Sequence, residues 1–299
     1  MSLVSLVKIR GTGKDSIKDS ISESLDLINY SFKKEALNIV IKPNMCYYWD
    51  CTTGQTTDPQ FVAALIDLIR ERVSPDANIS IVESDASAMK CKYAFKMLGY
   101  DQLSKDYNVP LVNLSEAKFV NANFTAGGQS FRFMVPQIIQ NADLKINIPK
   151  IKYTSGKIKL TCALKNMYGC NPFPKKYLYH RQLDEAIVAL NKAMNFNLCL
   201  IDGLVVSGVA PRKLFLTMAS TDPVAIDAAA AKIAGLNPNT IGHLKLAEKE
   251  GLGNAKFVPR GESLDYFARR YPRRSGRKKI MANAYRLLIL MKLNKKLGL

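Results

Sequence analysis

Leu37-Asn38-Ile39-Val40-Ile41-Lys42-Pro43-Asn44 is followed, after a polar loop, by Thr56-Thr57-Asp58-Pro59 and then by Phe61-Val62-Ala63-Ala64-Leu65-Ile66. The first run is apolar almost throughout, as a strand covered on both faces has to be. Asp58 stands where a carboxylate accepts from the free amides of a helix start. Pro59 falls at the first helical position, where a missing N–H costs nothing. A doubly buried strand leading into a capped helix is half of a β-α-β unit, the repeating element of an open parallel sheet.

The pattern recurs along the chain. Further strands are expected at 4–9, 79–82, 110–114, 144–148, 198–201 and 214–219, and helices at 16–28, 59–73, 91–98, 183–194, 223–234 and 241–249. Asp222-Pro223 repeats the capping device, Gly235 closes that helix, and Ala228 to Ala231 let it approach a sheet closely. Residues 121–133, centred on Gly127-Gly128, read as an antiparallel hairpin. The expected fold is α/β, with three layers: a mostly parallel (mixed) sheet, helices on both faces, and a C-terminal basic helix. One core domain is expected over residues 1–255 and a basic extension over 256–299.

A hydrophobic content of 47% with 23% charged residues excludes a disordered chain. Residues 1–10 lack the charged-then-apolar pattern of a secretory signal, and no apolar run reaches the length of a membrane span. The expected location is therefore cytoplasmic, with peripheral membrane contact open to the basic end. Six scattered cysteines read as reduced thiols. With two histidines and no His-x-x-x-His spacing, no metal site is expected. The formal charge of +18 is uneven: residues 256–299 carry 13 Lys and Arg against Glu262 and Asp265, a net +11, which leaves +7 for the rest.

In an open α/β sheet the ligand crevice forms beyond the carboxyl ends of the strands. The residues that fall there are Lys42 and Asn44, then Glu83, then Lys150, Lys152, Lys157 and Lys165-Asn166, then Asp202. Lysines gathered at one crevice suit a small carboxylate or phosphate; their alternative is a solvated edge with snorkelling stems. Glu83 is a candidate general base, and Asp202 is either a site carboxylate or an Asp-Gly turn.

The ordered motifs IKPN, TTDP, IVES, INIPKIK, LKNMYG, YH, LIDG and STDPVAIDAAAA resemble the domain of unknown function 362 family over residues 37–253. The resemblance implies an intracellular protein and brings Lys165, Asn166 and the Tyr179-His180 pair into the candidate site. His180 would act as acid–base group, with Arg181 beside it for substrate. Two departures stand out. Where many relatives have Lys-x-His this chain reads Lys152-Tyr153-Thr154, and the loop Val206-Ser207-Gly208-Val209-Ala210-Pro211 has fewer glycines. The ferredoxin module of some relatives is absent, so no iron–sulfur centre carries over.

The functional expectation is an enzyme acting on a small anion, with Glu83, Lys165, His180 and Asp202 as catalytic candidates. Lys42, Asn44, Lys150, Lys152, Lys157, Asn166 and Arg181 would bind substrate, and the cofactor is unassigned. The alternative is a non-catalytic adaptor. Residues 269–296 combine a basic run with Ile280, Ala284, Leu287, Leu288 and Met291 at helical spacing. Such a segment suits docking on the core, an anionic membrane surface, or RNA.

Overall fold

The computed structural model describes residues 1–154, 158–208 and 210–272. β1 (Ser2–Lys8), α1 (Lys14–Leu27), β2 (Asn38–Pro43), α2 (Pro59–Arg72) and β3 (Asn78–Glu83) open the chain. α3 (Cys91–Met97) and α4 (Tyr100–Tyr107) lead to β4 (Leu111–Asn113) and to the hairpin β5 (Phe119–Ala126) and β6 (Gln129–Pro136). Then come α5 (Gln137–Gln140), β7 (Leu144–Ile148), the short pair β8 (Lys152–Tyr153) and β9 (Leu160–Thr161), and α6 (Ala163–Asn166). α7 (Leu183–Met194), β10 (Leu198–Val206), β11 (Arg212–Ser220), α8 (Pro223–Ile233), α9 (Gly242–Lys249), β12 (Phe257–Gly261) and α10 (Leu264–Ala268) complete the described body.

Eight strands form one sheet in the order β12-β1-β11-β10-β7-β2-β3-β4. Every neighbouring pair is parallel except the two that involve β11. The reason is chain length: β10 and β11 are joined by only residues 207–211, and a parallel return needs a crossover of a dozen or more residues. The hairpin turns at Gly127 and Gly128, both at positive φ, which glycine adopts without strain.

Alternate residues of each central strand face different cores. Ile39, Ile41, Leu198 and Leu200 pack with Ile17, Ile21, Leu25 and the α2 residues Phe61, Leu65 and Ile69. Val40, Cys199 and Ile201 face the other way, onto Ile187, Leu190 and the alanines of α8. Helices thus cover both faces, as expected. Both Asp-Pro starts form as read: Asp58 accepts from Gln60 N, and Asp222 from Val224 N and Ala225 N.

Residues beyond 255 contribute to this body. β12 pairs in parallel with β1, Phe267 is fully buried, and the Tyr271 hydroxyl donates to Ile151 O at 3.0 Å. The basic helix expected further on falls outside the described residues. Among the described residues no helix is long and apolar enough to cross a membrane.

Candidate functional site

Seven of the eight sheet strands point the same way, so the loops that follow β2, β3 and β7 meet at one edge, where β10 also arrives. Two buried ion pairs mark this edge. Lys42 Nζ lies 2.7 Å from Glu83 Oε2, and Lys150 Nζ lies 3.0 Å from Asp202 Oδ2. All four side chains are at most 3% exposed. Burying a charge is tolerable only when it is paired and hydrogen-bonded. Lys42 accordingly also donates to Pro43 O, while Asp202 also accepts from Asp58 N and Leu204 N. The Asp202 carboxylate is therefore a buried, three-partner anchor rather than an exposed turn residue. It sits at the N-terminus of α2, where the helix dipole favours negative charge.

A chain of amides lies beside the Lys42 pair. Asn147 Nδ2 donates to Ala163 O, and Asn166 Nδ2 donates to Asn147 Oδ1 and Lys42 O. Asn44 Nδ2 in turn donates to Asn166 Oδ1. The one-turn helix α6, which carries Lys165 and Asn166, is held by Asp227 of α8, whose carboxylate accepts from Ala163 N and Leu164 N. Burial pushes Asp227 up to about 6 despite those bonds.

Three more lysines arrive at this edge. Lys152 Nζ donates to Gln55 O, and burial pushes its ammonium down to about 8. Lys176 Nζ donates to Ser84 Oγ, whose hydroxyl in turn donates a hydrogen bond to Gly169 O; burial lowers Lys176 to about 8 as well. Lys165 lies over the Tyr168 ring, with its ammonium 5.8 Å from the centroid, and protein crowding lowers it too. Among the described residues no carboxylate lies within ion-pairing distance of Lys152, Lys165 or Lys176. The carboxylates nearby are Glu83, Asp202, Asp58, Asp227 beneath α6, and Asp85, which Lys90 pairs; Asp58 is raised by burial and by Asp202. Lys42, Lys90, Lys150, Lys152, Lys165 and Lys176 thus outnumber these five carboxylates by one, which leaves the edge formally positive.

The sequence-expected residues Lys42, Asn44, Glu83, Lys150, Lys152, Lys165, Asn166 and Asp202 are thus brought together. His180 and Arg181 are not: both are exposed, on the turn Lys176–Gln182, and no described contact joins them to the cluster. Lys157 lies outside the described residues. Sequence reasoning missed Asn147 and Lys176. Asn147 had a signal, a lone amide inside the apolar strand Leu144–Ile148. Lys176 had none, since Lys175-Lys176 in a Pro-flanked loop looks like ordinary surface charge. Two surface depressions lie elsewhere, one on α1 around Asp19 and Asp26, the other at the opposite sheet end around Asn38 and Asn78.

The profile of a domain of unknown function (DUF362) matches residues 39–232. The thylakoid-associated protein sll1697 of Synechocystis sp. is 26% identical over 237 residues, covering 74% of this chain and 70% of that protein. Among solved structures, the lactate racemase apoprotein from Thermoanaerobacterium thermosaccharolyticum superposes with a TM-score of 0.42 at 12% identity. That match covers 79% of this chain and 58% of the racemase chain, and a likeness of that size does not extend to chemistry.

Proposed function

We propose, for a chain that belongs to the domain of unknown function 362 (DUF362) family, an enzyme that acts on a small carboxylate or phosphate at the carboxyl edge of its sheet. One observation carries this reading: Lys152 and Lys165, within electrostatic reach of each other, have no carboxylate partners, while Lys42 and Lys150 each have one. A bound anion would supply the missing counter-charge. Compact ammonium groups on flexible stems suit that task. Lys152, held near 8, exchanges its proton close to neutral pH and is placed for acid–base work on the bound molecule. Glu83 and Asp202 are engaged in holding Lys42 and Lys150, so their part in the site is positional.

Thermal-shift measurements test the reading, because a ligand that binds only the folded chain raises its melting temperature. Inorganic phosphate, acetate and methyl phosphate should stabilise the protein, and uncharged analogues of the same size should not. Lys165→Gln should weaken the anion response without lowering the unliganded melting temperature. Stabilisation by neutral compounds alone would defeat the proposal.

A second reading is an adaptor addressed by residues 269–296 to an anionic membrane surface or RNA. It is favoured by the net +11 of residues 256–299 and by the thylakoid association named for the Synechocystis relative. Ending the chain after residue 272 separates the two. The enzyme reading expects anion binding to persist, whereas the adaptor reading expects sedimentation with anionic vesicles, or retention on RNA, to be lost.

A further inference from the structure

The direction of the amide chain settles which way Asn44 faces. Backbone carbonyls only accept, so Ala163 O requires Asn147 Nδ2, and Lys42 O requires Asn166 Nδ2. Asn147 Oδ1 and Asn166 Oδ1 are then acceptors, and Asn44 must turn its Nδ2 toward Asn166. Asn44 Oδ1 is left pointing away. It is buried and has no hydrogen-bond partner, in a residue that is 8% exposed overall. A buried acceptor without a donor is costly, so such an atom in a positive site marks a place for a donor.

The surroundings say which donor. Asn166, which holds Asn44, adjoins Lys165 in sequence, and Lys152 donates to Gln55 O at the start of the stretch 55–57, whose Thr56 and Thr57 hydrogen-bond Cys46 N and Asn44. The free oxygen and the two ammonium groups that lack a carboxylate partner therefore border one region. A cationic donor would be repelled there, which leaves a neutral donor, and on a small carboxylate or phosphate the simplest neutral donor is a hydroxyl group. Resting on the anion site proposed above, we propose that the ligand of this site is a small anion that carries its own hydroxyl group. Its charged oxygens meet Lys152 and Lys165, and its hydroxyl donates to Asn44 Oδ1.

Matched pairs test this on the full chain by calorimetric titration: hydroxyacetate against acetate, and 2-hydroxyethyl phosphate against methyl phosphate. One hydrogen bond to a buried acceptor corresponds to about tenfold in affinity, so the hydroxylated member of at least one pair should bind about tenfold more tightly. The pair that discriminates identifies carboxylate or phosphate as the charged end. Asn44→Ala should bring that ratio to within about twofold, whereas Lys165→Gln should weaken both members equally. If Asn44→Ala does not fold, the wild-type ratios still decide. Measurable but equal binding within both pairs would overturn this inference and leave the anion site standing. A ratio that survives Asn44→Ala would overturn the role of Asn44. No binding by any of the four would remove the anion site and this inference together.

Discussion

Lys150 Nζ and Asp202 Oδ2 lie 3.0 Å apart from residues 52 positions distant in the chain, and neither side chain is more than 1% exposed. The pair is anchored on the acid's side, because the Asp202 carboxylate also accepts from Asp58 N and Leu204 N. Removing one partner of such a pair strands the other charge inside the protein. Asp202→Asn is therefore expected to lower stability by about 3–5 kcal/mol. The combined Lys150→Met and Asp202→Asn variant should lose less than Asp202→Asn alone. Urea denaturation measures both, and a cost below about 1 kcal/mol for Asp202→Asn would show that the pair is not desolvated as described.

Anion affinity should depend on pH through Lys152. Its ammonium is held near 8 by burial, against an ordinary value of 10.5. Binding is expected to be strongest below pH 8 and to fall as pH rises through that value. Stability moves in the opposite sense. Between about 8 and 10.5 the unfolded lysine keeps its proton while the folded one has released it, so the unfolded chain binds more protons and stability rises with pH. Titrating phosphate at pH 7 and pH 9 gives the first slope. In Lys152→Met that slope should be much reduced, and an unchanged slope would assign the titration to another group.

Gly169 controls the Lys42–Glu83 pair from above. A β-carbon placed there would stand 2.6 Å from Glu83 Oε1 and 2.9 Å from Lys42 Nζ. Gly169→Ala should therefore pry the pair apart and cost about 1–3 kcal/mol, the usual range for overpacking. Denaturation of Gly169→Ala checks this. A neutral result would mean that the loop carrying Gly169 yields instead.

Tyr271 ties the last described residues to the edge that carries the lysines. Its hydroxyl donates to Ile151 O at 3.0 Å, and Ile151 stands between Lys150 and Lys152. Tyr271→Phe should cost about 1 kcal/mol, the net worth of one ordinary hydrogen bond. Ending the chain at residue 256 should cost far more, since it removes β12 and the buried Phe267 and Tyr271 together. Melting temperatures of the two variants order these effects, and equal losses would contradict the description of β12 as part of the sheet.

Much of this fold was legible from local pattern. The strand around Val40, the Asp58-Pro59 and Asp222-Pro223 helix starts and the Gly127-Gly128 turn all formed where the sequence placed them. Other features were less visible. β12 is short and half exposed, with Pro259 and Arg260 in it, so its composition reads as loop until β1 offers an edge. α4 is largely polar and buries only Tyr100 and Leu103, which left its period weak.

The sequence by itself determined the element types, the helix starts and the presence of lysines, amides and carboxylates just past the strand ends. Those follow from near neighbours: a strand's alternation, a cap's reach and a turn's φ depend on a few consecutive residues. Only the tertiary structure decided that Lys42 takes Glu83 and Lys150 takes Asp202, that Lys176 turns inward while His180 and Arg181 face solvent, and that Asn44 keeps an oxygen free. Lys42 and Glu83 are 41 residues apart, and Asn44 and Asn166 are 122. Which charge is neutralised, and which hydrogen-bonding atom is left over, depends on what packing brings within about 3 Å and shields from water, and no local pattern encodes that.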